Sequence, residues 1–153
     1  MKTCELIHNG LYKVGDDIVR FRALNGCLYR PNGSFYGQLY ENSEDGSLEV
    51  QMSYGTWKKL EPLPISEEIL KANGFKCINK NSAYTLMVMS DDGYIIEVYI
   101  CATNCVFDVE HNYILNKERV VDSTHKCGFY LHELQHALRL CGLRELADNF
   151  KLE

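Results

Sequence analysis

The chain has 153 residues, of which 46% are hydrophobic and 24% charged, a composition that excludes a disordered, collagen-like or coiled-coil chain. Twenty-one acidic against sixteen basic side chains leave a net charge of −5, which argues against a non-specific nucleic-acid coat built on phosphate neutralisation. No apolar run approaches the ~20 residues of a membrane span, the opening Met1-Lys-Thr-Cys-Glu-Leu6 lacks the core of a signal peptide, and the expected setting is the cytoplasm.

The first third reads as short strands. Leu11–Val14, Asp17–Leu24, Ser34–Tyr40, Ser47–Met52 and Thr56–Leu60 are rich in Tyr, Val, Ile and Phe. They are punctuated by Asn25-Gly26, Asn32-Gly33 and Asp45-Gly46, dipeptides that supply the positive φ of tight hairpin turns. Five such strands predict a small curled sheet or an SH3-like barrel over residues 1–63. Glu61-Pro-Leu-Pro64 ends the pattern, because proline has no N–H to give to a ladder. Residues 64–153 form a second, α+β subdomain in this reading.

That subdomain opens on a short helix, Glu67–Asn73. Ser66 stands at its N-cap, Glu67 and Glu68 meet the positive end of the helix dipole, and Gly74 follows the last turn. Tyr84–Ser90 and Tyr94–Ile100 flank Asp91-Asp92-Gly93, a hairpin signal. The second of these strands alternates, with Tyr94, Ile96, Val98 and Ile100 on one face and Ile95, Glu97 and Tyr99 on the other. Cys105–Val109 and Tyr113–Leu115 extend the β region. A helix from about Phe129 to Cys141, a break at Gly142 and one or two helical turns over Leu143–Phe150 close the chain. The fold class is α+β.

His132-Glu133-Leu134-Gln135-His136 satisfies H-E-x-x-H. Two His at i and i+4 sit one helical turn apart and can share a Zn²⁺, and the intervening Glu can act as general base on a metal-bound water. A catalytic zinc needs a third protein ligand; position 142 is Gly rather than His, so Glu145 is the best remaining donor. On a helical wheel Leu131, Leu134, Leu138 and Cys141 form a core stripe. His132, Gln135, His136 and Arg139 fall on the opposite side, with Glu133 at its edge, and are expected to face solvent. Arg139, one turn beyond His136, opposes a bound cation. The seven cysteines (odd in number) include Cys101-Ala-Thr-Asn-Cys105. This C-x3-C pair offers half a structural zinc site with Cys127, His125 or His111, and the second compact pair is missing.

Glu61-Pro-Leu-Pro-Ile-Ser-Glu-Glu-Ile-Leu-Lys-Ala-Asn-Gly-Phe75 and Phe129-Tyr-Leu-His-Glu-Leu-Gln-His-Ala-Leu-Arg-Leu-Cys-Gly142 carry a family resemblance. They resemble, in order, the PIPLTEEWLLKFGF and YVHQLQNLYFALTG segments of a family of small uncharacterised proteins of gut bacteria and their phages and prophages. Val14-Gly-Asp-Asp-Ile-Val19 is similar to that family's opening strand. The family pattern has Gln and Asn where this chain has Glu133 and His136, so it implies a structural or binding helix. It further implies an accessory protein of a mobile element in a bacterial host, of the kind that acts against host defence by binding something.

Three functions follow as expectations. The first is a non-enzymatic sponge for a nucleotide or other small anionic, phosphate-bearing ligand, held by His132, His136 and Arg139 together with the single tryptophan, Trp57. The second is a zinc metallopeptidase using His132, His136 and Glu145 as ligands and Glu133 as base. The third is an inhibitor of a host protein that pairs with exposed edge strands of the N-terminal subdomain. Association with further copies of the chain stays open.

Overall fold

The computed structural model describes residues 6–79, 83–89, 95–101, 106–112, 117–122 and 130–152, with backbone alone between 101 and 129. The chain divides into two compact units, one of residues 1–63 with 131–133, the other of residues 64–130 with 134–153.

Unit one is a closed antiparallel barrel of six strands: β1 (Leu11–Val14), β2 (Asp17–Arg22), β3 (Cys27–Tyr29), β4 (Phe35–Glu41), β5 (Leu48–Met52) and β6 (Trp57–Pro62). Each strand pairs with the next, and β6 closes on β1 through Tyr12↔Pro62, Lys13↔Glu61 and Val14↔Leu60. The sequence pattern predicted five strands; the sixth is β3, three residues between two turns. Closure also corrects the expectation of exposed edges in this subdomain: a closed barrel leaves no unpaired ladder for a partner strand.

The interior holds Tyr12, Val14, Val19, Phe21, Leu28, Tyr36, Leu48, Val50 and Leu60, the inward half of a two-residue period. Ile18 and Arg20 share the partly exposed face of β2, opposite Phe21. The Tyr12 ring is fully enclosed, and its hydroxyl accepts the Ile7 N–H at 2.7 Å. Gly37 allows β4 and β5 to close up, since a Cβ there would stand 2.6 Å from the Gln51 carbonyl oxygen. The N–H of Leu131 donates to the Leu63 carbonyl at 2.8 Å, which ties residues 131–133 into this unit.

Unit two contains α1 (Glu67–Ala72), then β7 (Lys76–Asn79), β8 (Ala83–Met89), β9 (Ile95–Cys101), β10 (Val106–Asn112) and β11 (Lys117–Asp122). These strands form a second antiparallel sheet in the order β11-β10-β9-β8-β7. Two helices follow: α2 (Leu131–Leu140), whose first three residues belong to unit one, and α3 (Arg144–Asp148). The α1 N-cap is as the sequence predicts, with the Ser66 hydroxyl accepting the Ile69 N–H at 3.3 Å. At the other end the Asn73 side chain clasps the C-terminal segment: its Nδ2 donates to the Lys151 carbonyl at 2.7 Å and its Oδ1 accepts the Lys151 N–H at 2.8 Å.

β8 and β9 run antiparallel to the Met89↔Ile95 pair; the expected turn at Asp91-Asp92-Gly93 lies outside the described residues. Ile96, Val98 and Ile100 are fully buried, and Ile95 is exposed, as the alternation requires. β10 covers the expected Cys105–Val109 strand from Val106 and runs on to Asn112, whereas Tyr113–Leu115 lies outside the described residues. β7 and β11 are strands that the sequence pattern did not mark. Among the described residues no helix is long and apolar enough to cross a membrane.

Candidate functional site

The wheel of the C-terminal helix predicts its apolar stripe and misplaces its polar one. Leu131, Leu134, Leu138 and Cys141 are buried, but so are His132, at 3% exposure, and Gln135, at 0%. The His132 ring packs on Tyr12 inside unit one, centroid to centroid at 4.8 Å. Gln135 donates from Nε2 to the Ala147 carbonyl at 2.7 Å. His136 is the polar-face member that remains exposed, and Leu140 is exposed beside it at 64%. A single-wheel reading assumes one covered face. Here the chain turns at Gly142, which has a φ of 80°, and α3 returns to cover a second face of α2.

The same return occupies the guanidinium expected to hold a phosphate. Arg139 donates from both Nε and Nη2 to Asp148 Oδ1, at 2.9 and 2.8 Å, which holds that edge of the guanidinium on α3, while its Nη1 is buried without a hydrogen-bond partner. Of the four candidate ligand residues, His136 and Arg139 belong to unit two, His132 and Trp57 to unit one. Within unit one His132 lies on Tyr12, whereas Trp57 is half-exposed beside Tyr40.

For zinc, the fit fails among the described residues: no three His, Cys, Asp or Glu side chains gather into a set that could hold a metal. His132 is enclosed against an aromatic ring, His136 faces solvent, and Glu145 is exposed on α3. No hydrolytic step is therefore derived for Glu133. The side chains of Cys101, Cys105, His111, His125 and Cys127 lie outside the described residues. Burial pushes the Cys141 thiol up to about 11, so it carries no thiolate for nucleophilic work at neutral pH.

A groove of about 580 Å³ in unit two is lined by Gly74, Met89, Leu143, Glu145, Leu146 and Lys151 among others. Its lining includes one glutamate and one lysine, which leaves it no net charge with which to attract an anion.

The outer wall of the barrel presents a different surface. Phe35 is 49% exposed, Trp57 48% and Tyr40 40%, and Tyr54 stands almost wholly in water at the β5–β6 turn. The register explains their gathering. Gln38 of β4 pairs with Gln51 of β5, and Gln51 with Trp57 of β6; in the next outward row Tyr40 pairs with Glu49 and Glu49 with Lys59. Tyr40 and Trp57, on the diagonal between these rows, meet edge to face with centroids 5.2 Å apart.

Phe35 joins them through a bulge. The register of β3 on β4 shifts between Leu28 and Tyr29, and Tyr36 and Gly37 are both buried. Strict alternation would have put Phe35 on the opposite side from Gln38 and Tyr40; the bulge puts all three outside. Phe35 also meets the Tyr29 ring edge-on at 6.0 Å, and the Arg22 guanidinium lies over the Tyr29 ring, 4.5 Å from its centroid.

Between Phe35 and the β5–β6 turn lies a depression of about 300 Å³ lined by Phe35, Gln38, Gln51, Met52, Ser53 and Gly55. None of these side chains is charged. The sequence reading singled out Trp57 alone from this surface. The signal for the rest was weak: Phe35, Gln38 and Tyr40 share a face only if a bulge is known, and Gln51 becomes notable only once it stands between Gln38 and Trp57.

No family model matches the chain, and neither a curated protein nor a solved structure does.

Proposed function

We propose that the protein is a non-enzymatic binding module and that the outer wall of its barrel is the binding face, receiving a polypeptide partner. The observation that supports this is the set of half-exposed rings on the outer face of the barrel, Phe35 and Tyr40 of β4 and Trp57 of β6, beside an uncharged depression that Phe35 lines. Exposed large aromatics cost solvation free energy, and clustered on a rigid strand framework they match the composition of interface anchors. The resemblance to small proteins of gut bacteria and their phages supports an accessory role in a mobile element, acting on a host component.

The test is affinity capture from a bacterial lysate with three baits: the unaltered protein, a Tyr40→Ser/Trp57→Ser variant and a His136→Ala variant. The expected result is one stoichiometric polypeptide, held by the first and third baits and lost from the second. Equal capture by all three baits, or none by any, sinks the reading.

One observation favours a second ligand, a nucleotide or other phosphate-bearing small molecule. Arg22, exposed and stacked on Tyr29 next to Phe35, pairs a cation with aromatic faces. In that case cyclic nucleotides or ADP-ribose would raise the melting temperature, and Arg22→Gln would abolish the rise.

A further inference from the structure

Resting on the wall as the binding face, we infer that its ligand is a proline-rich, uncharged extended peptide, bound with the depression between Phe35 and the β5–β6 turn as its anchor. Three features of the surface carry this.

The first is charge. Every side chain lining the depression is neutral, so a charged residue entering it would lose water without gaining a counter-charge. An apolar ring with no charge meets no such cost.

The second is hydrogen bonding. Gln38 and Gln51 sit opposite one another on β4 and β5. Each amide carries both donors and an acceptor, and the Trp57 indole beside Gln51 adds a donor. A polyproline II segment keeps its backbone carbonyls unpaired and pointing outward. Amide and indole N–H groups are the partners such carbonyls lack.

The third is spacing. Gln38 and Trp57 occupy one register row two strands apart, which is about 9.6 Å across a sheet. One turn of polyproline II, three residues at 3.1 Å, advances about 9.3 Å. A peptide crossing the strands would therefore repeat at Trp57 the contact it makes at Gln38. Trp57 is packed edge to face with Tyr40, so the far contact is a crossed pair of rings and not the flat double platform on which the broad face of a sugar or a base stacks.

Trp57 is the single tryptophan of the chain, so its emission reports the site directly. The experiment titrates the full chain with a ten-residue oligoproline and, separately, with a Gly/Ser decapeptide, a neutral oligosaccharide and ADP-ribose. Oligoproline alone should give a saturable change in Trp57 emission. Phe35→Ser and Gln51→Ala should each weaken the binding at least tenfold, and Leu24→Ser, at an exposed site elsewhere in the barrel, should leave it unchanged.

The inference is overturned by no saturable change with oligoproline, by an equal response to the Gly/Ser peptide, or by Phe35→Ser binding as tightly as the parent. Saturation by the sugar or by ADP-ribose instead overturns it in favour of that ligand. If oligoproline fails while the Tyr40→Ser/Trp57→Ser variant still loses its captured partner, the proline specificity falls and the binding face stands.

Discussion

His132 and His136 carry the same side chain one helical turn apart, and their surroundings reverse the expectation that both face water. The first is enclosed on the Tyr12 ring at 4.8 Å, and the second is exposed. Truncating an enclosed ring leaves a cavity whose walls only partly collapse. His132→Ala is therefore expected to cost about 2–4 kcal/mol in urea unfolding, whereas His136→Ala should stay within about 0.5 kcal/mol of the parent. Equal costs would mean that the enclosure of His132 contributes nothing. The spacing of the two imidazoles was legible in the sequence; their burial was not, because Tyr12 is 120 positions away and no helical periodicity reports a contact with a strand. Trp57 was legible as a rare, large side chain on a strand. Arg139 was read as an available cation, and it was the sharp return at Gly142 that brought Asp148 against it.

Elements were legible in proportion to their length and to the strength of their ends. The strand Leu11–Val14 and the helix capped by Ser66 stand where the pattern predicts them. β3 escaped because three residues, Cys27–Tyr29, cannot show a period. It is nonetheless the strand that separates β2 from β4, and across it runs a polar tie: the Tyr36 hydroxyl donates to Asp17 Oδ2 at 2.9 Å. Burial, and then the hydrogen bond to the Asp17 carboxylate, raise the Tyr36 phenol to about 12. A phenol that keeps its proton more firmly in the folded state than in the unfolded one contributes stability below its unfolded value near 10. That contribution is lost as pH climbs toward about 12. The expected outcome is an alkaline loss of about 2 kcal/mol between pH 9 and 12 that is absent from Tyr36→Phe, read as the difference in urea midpoints between the two proteins. Parallel pH profiles would contradict it. The difference is the informative quantity, since nine other tyrosines titrate in both proteins.

At the scale of the molecule, the α+β class could be read from residue order, because turn dipeptides and prolines punctuate the first third and helix signals follow. What residue order does not contain is the return of residues 131–133 to the barrel unit. Those three residues bring the buried Leu131 and His132, and the Leu131 N–H that donates to Leu63 at the end of the first unit's continuous segment. The barrel is thus built from two stretches of chain, and its stability depends on a helix encoded some seventy positions later. A small barrel sits close to the size at which one core barely offsets chain entropy. Removing the ring that covers Tyr12 should then be felt by every strand of the closed ladder. A fragment of residues 1–63 is expected to unfold at a clearly lower urea concentration than the barrel of the full chain, followed in both by the emission of Trp57, which reports this unit alone. The full-length His132→Ala variant should fall between the two, since it lacks the ring but keeps Leu131 and its hydrogen bond. A fragment as resistant to urea as the full chain would show that the barrel owes nothing to the second stretch.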